Sequence, residues 1–301
     1  MAGGSTKAVL AALGANLGIA VAKFGGAIYT GSAAMLAEGV HSVVDSFNQL
    51  LLLFGMKRAE RPADARHPFG YSREIYFWSF VVAVLLFTAG GVVAIYEGWH
   101  KLSDPHPVES PIVNYVILTG AILLEAASFR VALKEFRKVA GDRHWWTAVT
   151  EAKDPVLFTV LFEDSAAMLG LAIALAGLIA AQALAMPILD GIASIVIGVV
   201  LILASILLAR ETKGLLVGEA AAPEVLEEIR ALICAAPGVT GVRDINSVHL
   251  GPHDIVVTAC VDFVDDVPAG EVERVTADLS ARVRAALPDV SHLFLAPTSL
   301  A

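Results

Sequence analysis

The sequence predicts an α-helical membrane protein with six transmembrane helices, followed by a small cytoplasmic α+β domain. Three observations lead there. The 301 residues are 56% hydrophobic with a mean hydropathy of +0.70, and the apolar residues come in long blocks. Six of these blocks reach the roughly 20 residues that a helix needs to cross a bilayer. From about Ala220 onward the pattern changes to the short amphipathic periods of a packed soluble domain.

The first block runs from about Ala8 to Thr30 and the second from about Ala33 to Met56, with only Gly31-Ser32 between them. The third covers about Phe77 to Trp99 and the fourth about Pro111 to Leu133. The fifth covers about Val156 to Ala183 and the sixth about Pro187 to Ala209, joined tightly near Gln182 to Met186. Glycines such as Gly14, Gly18, Gly25, Gly26, Gly191 and Gly198 recur within the blocks, where small residues let membrane helices approach closely.

Basic residues set the orientation. Lys57, Arg58, Arg61, Arg66 and Arg73 lie between the second and third blocks, and Lys134, Arg137, Lys138, Arg143 and Lys153 between the fourth and fifth. Lys7 precedes the first block, and Arg210 and Lys213 follow the sixth. The opposite loops are nearly free of them, with Lys101 the exception. Both termini are therefore expected in the cytoplasm. His144-Trp145-Trp146 reads as a membrane-interface segment, where Trp is enriched.

A transmembrane domain over residues 1–210 and a cytoplasmic domain over 211–301 follow. In the second, Pro223 to Ala235 has the period of an amphipathic helix, broken by Pro237-Gly238. Val242 to Val248 and Ile255 to Phe263 read as strands around a Gly251-Pro252 turn, Ala269 to Leu287 as a helix, and Val290 to Leu295 as a third strand. The αββαβ order predicts one three-stranded sheet with both helices on one face.

Composition excludes several functions. A net charge of −9 argues against a nucleic-acid partner. Cys234 and Cys260 are too few for a disulfide framework and form no CxxC pair. Neither GxSxG nor HExxH is present, so no enzyme is expected. No cleavable signal or transit peptide is evident at the start, and the Ala-rich composition points to a bacterial inner membrane.

The chemistry centres on Glu38-Gly39-Val40-His41-Ser42-Val43-Val44-Asp45 within the second block. His41 and Asp45 are four residues apart and fall on one helix face, and Glu38 joins that side. An imidazole and a carboxylate one turn apart make ready ligands for a divalent metal. The alternative is a buried polar pair that joins helices. The fifth block carries Glu163-Asp164, two carboxylates in an apolar run that need a cation, a proton or a partner such as Lys23 or Arg130. Asp164 is expected opposite His41 and Asp45. Glu163, about 100° away around the helix, is a fourth ligand, a gate or a packing residue. Asn16, Lys23, Asn48, Glu125 and Asp190 line the path or bond between helices.

Together with Thr30-Gly31-Ser32, His67-Pro68-Phe69-Gly70-Tyr71, Asp154-Pro155 and Phe162-Glu163-Asp164-Ser165, these residues resemble the cation diffusion facilitator family of metal transporters over nearly the whole chain. Within it the chain resembles the branch that includes zinc transporter 9. The resemblance implies a homodimer in the lipid bilayer, with a six-helix membrane domain and a metallochaperone-like (ferredoxin-like) cytoplasmic fold. It implies export of Zn²⁺ or a similar ion, such as Mn²⁺, Fe²⁺ or Co²⁺, in exchange for protons, with no resident cofactor. The family's site takes a His-x-x-x-Asp pair from each of the second and fifth spans. His41 and Asp45 match the first, and Asp164 matches the second aspartate, but Val160 stands where the second histidine would be. The set is then His41, Asp45, Asp164 and, as the branch resemblance suggests, Glu163. Carboxylate-rich sites suit harder ions.

Some family members bind metal in the loop after the second span. Asp64 and His67 match that pattern, while Tyr71 replaces a further histidine, so a weak loop site or a plain structural turn is expected. The positions of the family's cytoplasmic zinc pair hold Arg243, Ala259, Phe294 and Ala296, and that pair is expected to be absent. His249, His253, Cys260 and His292 have no spacing that demands a site. In the implied mechanism metal entry releases protons from the ligands, and an imidazole, with a reference pKa of about 6.5, suits the exchange. The rival reading is a regulatory or metal-sensing subunit that has lost transport with the missing histidine. A second rival, an intramembrane metalloenzyme, lacks a motif for its general base.

Overall fold

The computed structural model describes residues 2–105, 111–141 and 153–299. Arg143 and His144-Trp145-Trp146 lie outside them. Long helices fill the first two-thirds of the chain. They are α1 (Ala2–Thr30), α2 (Ala33–Ala59), α3 (Glu74–Leu85) continued by α4 (Val93–Ser103), α5 (Pro111–Ala140), α6 (Pro155–Ala183) and α7 (Ile188–Val217). The third apolar block is thus not one regular helix: a π-helical stretch, Leu86–Val92, separates α3 from α4. It contains Gly90-Gly91, and a Cβ on Gly91 would lie 3.1 Å from the Gly198 carbonyl oxygen of α7. The widened turn therefore sits where two backbones meet.

Four stretches among the described residues are long and apolar enough to cross a membrane: Glu74–Ser103, Pro111–Val131, Phe158–Ala183 and Ile188–Val217. The bundle is apolar outside as well as inside. Val21, Ile28, Trp99, Ile112, Leu123 and Leu203 are exposed, while Lys23, Glu38, His41, Asp45, Asn48 and Glu163 are buried. That distribution suits a hydrocarbon surround, where only the bundle interior offers polar partners.

The α1–α2 connection explains the Thr30-Gly31-Ser32 sequence. Gly31 takes a left-handed φ of +66° that a side chain would strain. Ser32 is the N-cap of α2 and accepts from Met35 N at 3.2 Å. Asp190, at the start of α7, accepts from Ser32 Oγ and from Ala33 N, both at 2.7 Å. Lys101, the basic residue out of place in the loop pattern, is buried and donates to the Gly31 carbonyl at 2.7 Å. These bonds satisfy backbone groups that two abutting helix ends would leave open.

Helix α7 packs through glycines on α4 and on the π-helical stretch before it. A Cβ on Gly98 would lie 2.6 Å from the Gly191 carbonyl oxygen, and one on Gly198 would lie 2.7 Å from that of Gly91. Backbone meets backbone at both points, as small residues permit.

The remaining chain folds as α8 (Pro223–Cys234), β1 (Val239–Gly251), β2 (Asp254–Phe263), α9 (Ala269–Ala286) and β3 (Val290–Pro297). β2 is central, antiparallel to β1 and parallel to β3. Alternate β2 residues Ile255, Val257, Ala259 and Val261 pack with Ile229 and Ile233 of α8 and Leu279 and Val283 of α9. Both helices therefore cover one face. Ser72 Oγ donates to Asp254 Oδ2 at 2.7 Å, Lys153 pairs with Glu219, and His249 N donates to the Glu219 carbonyl at 2.9 Å, tying this unit to the bundle.

Between α2 and α3 the loop is organised by Asp64. Its Oδ1 accepts from Arg66 N at 2.9 Å and His67 N at 2.8 Å, and its Oδ2 accepts from Tyr71 Oη at 2.6 Å. The Tyr71 hydroxyl, followed by the two amides, holds the Asp64 carboxyl down at about 2.

Two outcomes are expected. Gly98→Ala and Gly198→Ala each force backbone apart and lower the thermal unfolding midpoint of the solubilised protein, at a cost of about 1–3 kcal/mol. Gly120→Ala, with nothing within 4 Å of the added methyl, leaves the midpoint in place. For the loop, a depressed folded pKa means that the contribution of Asp64 is complete above the ordinary carboxylate value of about 3.9 and disappears as pH falls toward 2. Hydrogen exchange at neutral pH should therefore speed up at the Arg66 and His67 amides in Asp64→Asn.

Candidate metal centre

Helix α2 carries a polar stripe at Glu38, His41, Asp45 and Asn48, spaced three and four residues apart and therefore on one face. All four are buried. His41 Nδ1 and Asp45 Oδ1 are 3.4 Å apart. Among the described residues neither ring nitrogen of His41 has a hydrogen-bond partner, and the same holds for Asp45 Oδ1, Asn48 Oδ1 and Glu38 Oε1. Unsatisfied buried polar atoms are costly, so a run of them on one face calls for a ligand.

Helix α6 faces this stripe with Glu163. Asn48 Nδ2 donates to Glu163 Oε1 at 2.6 Å, and Glu163 is buried. Its neighbour Asp164 points elsewhere. It is half-buried, and its Oδ2 accepts from Ser128 Oγ of α5 at 3.2 Å. Adjacent helical residues point about 100° apart, so only one of the two can meet α2, and in this conformation it is Glu163. Asp45 is nonetheless within electrostatic reach of Glu163, Glu125 and Asp164. Val160, one turn before Asp164, offers no ligand.

Among the described residues no three His, Cys, Asp or Glu side chains lie close enough to hold one metal ion. His41 and Asp45 lie together, Glu163 meets the same stripe through Asn48, and Asp164 stands on the α5 side. At that side Glu125 is buried. Lys23 of α1 pairs with Glu38 at 3.0 Å, and not with the α6 carboxylates. Ser128 and Lys23 were not marked by any motif, only by polarity within apolar blocks, whereas Glu38 belongs to the Glu38–Asp45 motif.

The loop pair is built differently. Asp64 and His67 are both exposed, with His67 Nδ1 3.6 Å from Asp64 Oδ1. Both Asp64 oxygens already accept loop hydrogen bonds, and the His67 ring lies against Tyr71. In the α+β unit His253 pairs with Asp289 at 3.1 Å, His249 Nδ1 is 3.1 Å from the Gly251 carbonyl, and His292 meets Ser291. Burial lowers the affinity of His249 for a proton.

The sequence matches the cation efflux transmembrane domain over residues 9–217. It is 33% identical over 243 residues to the human mitochondrial proton-coupled zinc antiporter SLC30A9, covering 80% of this chain and 43% of that protein. It is 34% identical over 261 residues to metal tolerance protein C4 of Arabidopsis thaliana, covering 86% of this chain and 57% of that protein. An uncharacterized transporter of Methanocaldococcus jannaschii is 26% identical over 259 residues, 86% of this chain and 85% of its own. The chain thus spans about half the length of the first two relatives. With an inward polar stripe, a lipid-facing apolar surface and this match over most of its length, the chain belongs to the cation diffusion facilitator (cation efflux) family, close to the SLC30A9 branch.

Proposed function

We propose that this protein carries a divalent metal cation, zinc first, through the bilayer in exchange for protons. One observation carries the reading: His41 and Asp45 sit buried in a lipid-facing bundle with unsatisfied ligand atoms, opposite Glu163. Ionisable groups at such a depth mark an ion path. The names of the relatives, a zinc antiporter and a metal tolerance protein, support the same cargo.

All six long helical segments act as spans in this proposal, α1 and α2 included. The basic loops keep both termini in the cytoplasm, of a bacterium on the Ala-rich composition. Residues 1–210 make up the transport unit and 211–301 the cytoplasmic domain, although α7 continues to Val217. A homodimer is the working form.

The arriving cation meets His41 and Asp45 first, because their atoms lack partners. Glu163 exchanges its Asn48 bond for the ion, and Asp164 turns in from Ser128 as α6 moves against α2. Binding requires deprotonated ligands, so loading releases protons. On the opposite side protons return to the same atoms and the ion leaves. Glu163 takes the place of the imidazole missing at Val160. No covalent step is involved, and the protein acts as a carrier and not as an enzyme. The mixture of one imidazole with several carboxylates keeps Mn²⁺, Fe²⁺ and Co²⁺ as alternative cargoes.

The test is metal uptake into proteoliposomes with an imposed pH gradient, comparing Zn²⁺, Mn²⁺, Fe²⁺ and Co²⁺. Asp45→Ala and Asp164→Ala are expected to abolish proton-coupled flux, and Glu163→Gln to reduce it severely. Asn48→Ala, which frees Glu163, should cost roughly 10–100-fold in metal affinity or rate. If no ion moves with the folded parent protein, a regulatory or sensing subunit replaces the transporter reading.

A further inference from the structure

A second set of charges lies beside the metal centre, and the transport cycle above makes no use of it. Lys23 of α1 is fully buried. Its Nζ donates to Glu38 Oε2 at 3.0 Å and to Ser42 Oγ at 2.8 Å. Ser42 is the residue after His41, and Glu38 is one turn before it, so the ammonium is bonded to both sides of the His41 turn. Glu38 is equally buried, and its Oε1 has no partner among the described residues.

The pair is wedged between helices. A Cβ on Gly170 of α6 would lie 2.4 Å from Glu38 Oε1, so glycine alone leaves room for the carboxylate. Glu38 thus touches the helix that presents Glu163 and Asp164. The ionisable groups around Lys23 are Glu38, His41 and Asp45 on α2 and Glu125 on α5. The Lys23 charge acts on His41, Asp45 and Glu125 as well as on Glu38.

An ion pair needed only for packing would be an expensive choice here. Buried pairs rarely stabilise more than an apolar pair of the same shape. The position is what distinguishes it: a fixed positive charge is tethered beside a chamber whose other ionisable groups are an imidazole and carboxylates.

We propose that Lys23, held by Glu38 and Ser42, is a resident counter-cation of the transport site, a positioning residue that sets how tightly a divalent ion is held and how readily it leaves. Too little positive charge beside the chamber traps the cargo, and too much excludes it. Lys23 supplies the fixed part of that balance, and Glu38 tempers it. This inference rests on the transport reading above.

The two halves of the pair make opposite predictions. Lys23→Met leaves the chamber one positive charge poorer: the KM for Zn²⁺ falls roughly tenfold and the maximal flux falls with it, because release slows. Glu38→Gln leaves Lys23 untempered, and the KM rises roughly tenfold. Lys23→Arg keeps the charge and returns both parameters toward the parent. Zn²⁺ titration of the solubilised protein by calorimetry should show the same opposite shifts in Kd.

If the single variants fail to fold, the exchanged pair Lys23→Glu with Glu38→Lys keeps an ion pair. It moves the ammonium onto the helix of His41 and should raise the KM by roughly tenfold or more. Shifts of the same sign in both single variants, or a parental KM in the exchanged pair, would overturn the proposal and leave a packing role. Parent protein that binds or moves no Zn²⁺ sinks the transport reading itself, which separates the two failures.

Discussion

An ionisable side chain in hydrocarbon has to find its partners inside the protein. That constraint organises the bundle. Helix α2 brings Glu38, His41, Asp45 and Asn48 to one face, and its neighbours are arranged to receive them. α1 supplies Lys23 to Glu38, and α6 supplies Glu163 to Asn48. At the end of α2, Asp190 of α7 takes the first backbone amide and the capping serine. Among the described residues, atoms without a partner remain along this stripe at Glu38, His41, Asp45 and Asn48. Burial of the stripe is thus compensated only in part by protein partners.

Packing divides the bundle into regions of different character. Along α7 the glycines bring backbones together, with Gly191 against Gly98 of α4 and Gly198 against Gly91 of the π-helical stretch. Contacts of that kind tolerate little change in volume. Between α2, α5 and α6 the contacts are instead polar and adjustable: Asn48 to Glu163, and Ser128 to Asp164. A side-chain hydrogen bond can be exchanged for a metal bond without dismantling the core. The close-packed contacts thus join α7 to α4 and the π-helical stretch, and the adjustable polar ones join α6 to α2 and α5.

The α+β unit is joined to the ends of α3, α6 and α7. Lys153, just before α6, pairs with Glu219, just after α7, and the Glu219 carbonyl accepts from His249 of β1. Ser72, just before α3, is bonded to Asp254 of β2. The start of α6 is thus linked to the sheet through a short chain of polar contacts.

Much of this was legible in the sequence because it is local. The spacing of His41 and Asp45 puts them on one face of any helix, and a run of apolar residues around them implies a bilayer whatever the neighbours are. The alternation Ile255, Val257, Ala259, Val261 likewise announces a half-buried strand. The tertiary structure decided what depends on how helices are rotated against each other. Glu163 and Asp164 are adjacent in sequence and equally suited to a metal, but the rotation of α6 turns Glu163 to α2 and Asp164 to α5. Lys23 was open to several carboxylates, and the approach of α1 to α2 assigned it to Glu38. Lys101 departs from the loop charge pattern because it is buried as the donor to the Gly31 carbonyl. The π-helical interruption at Gly90-Gly91 likewise coincides with the close passage of α7. Periodicity tells which residues share a face; only packing tells which face looks at which neighbour.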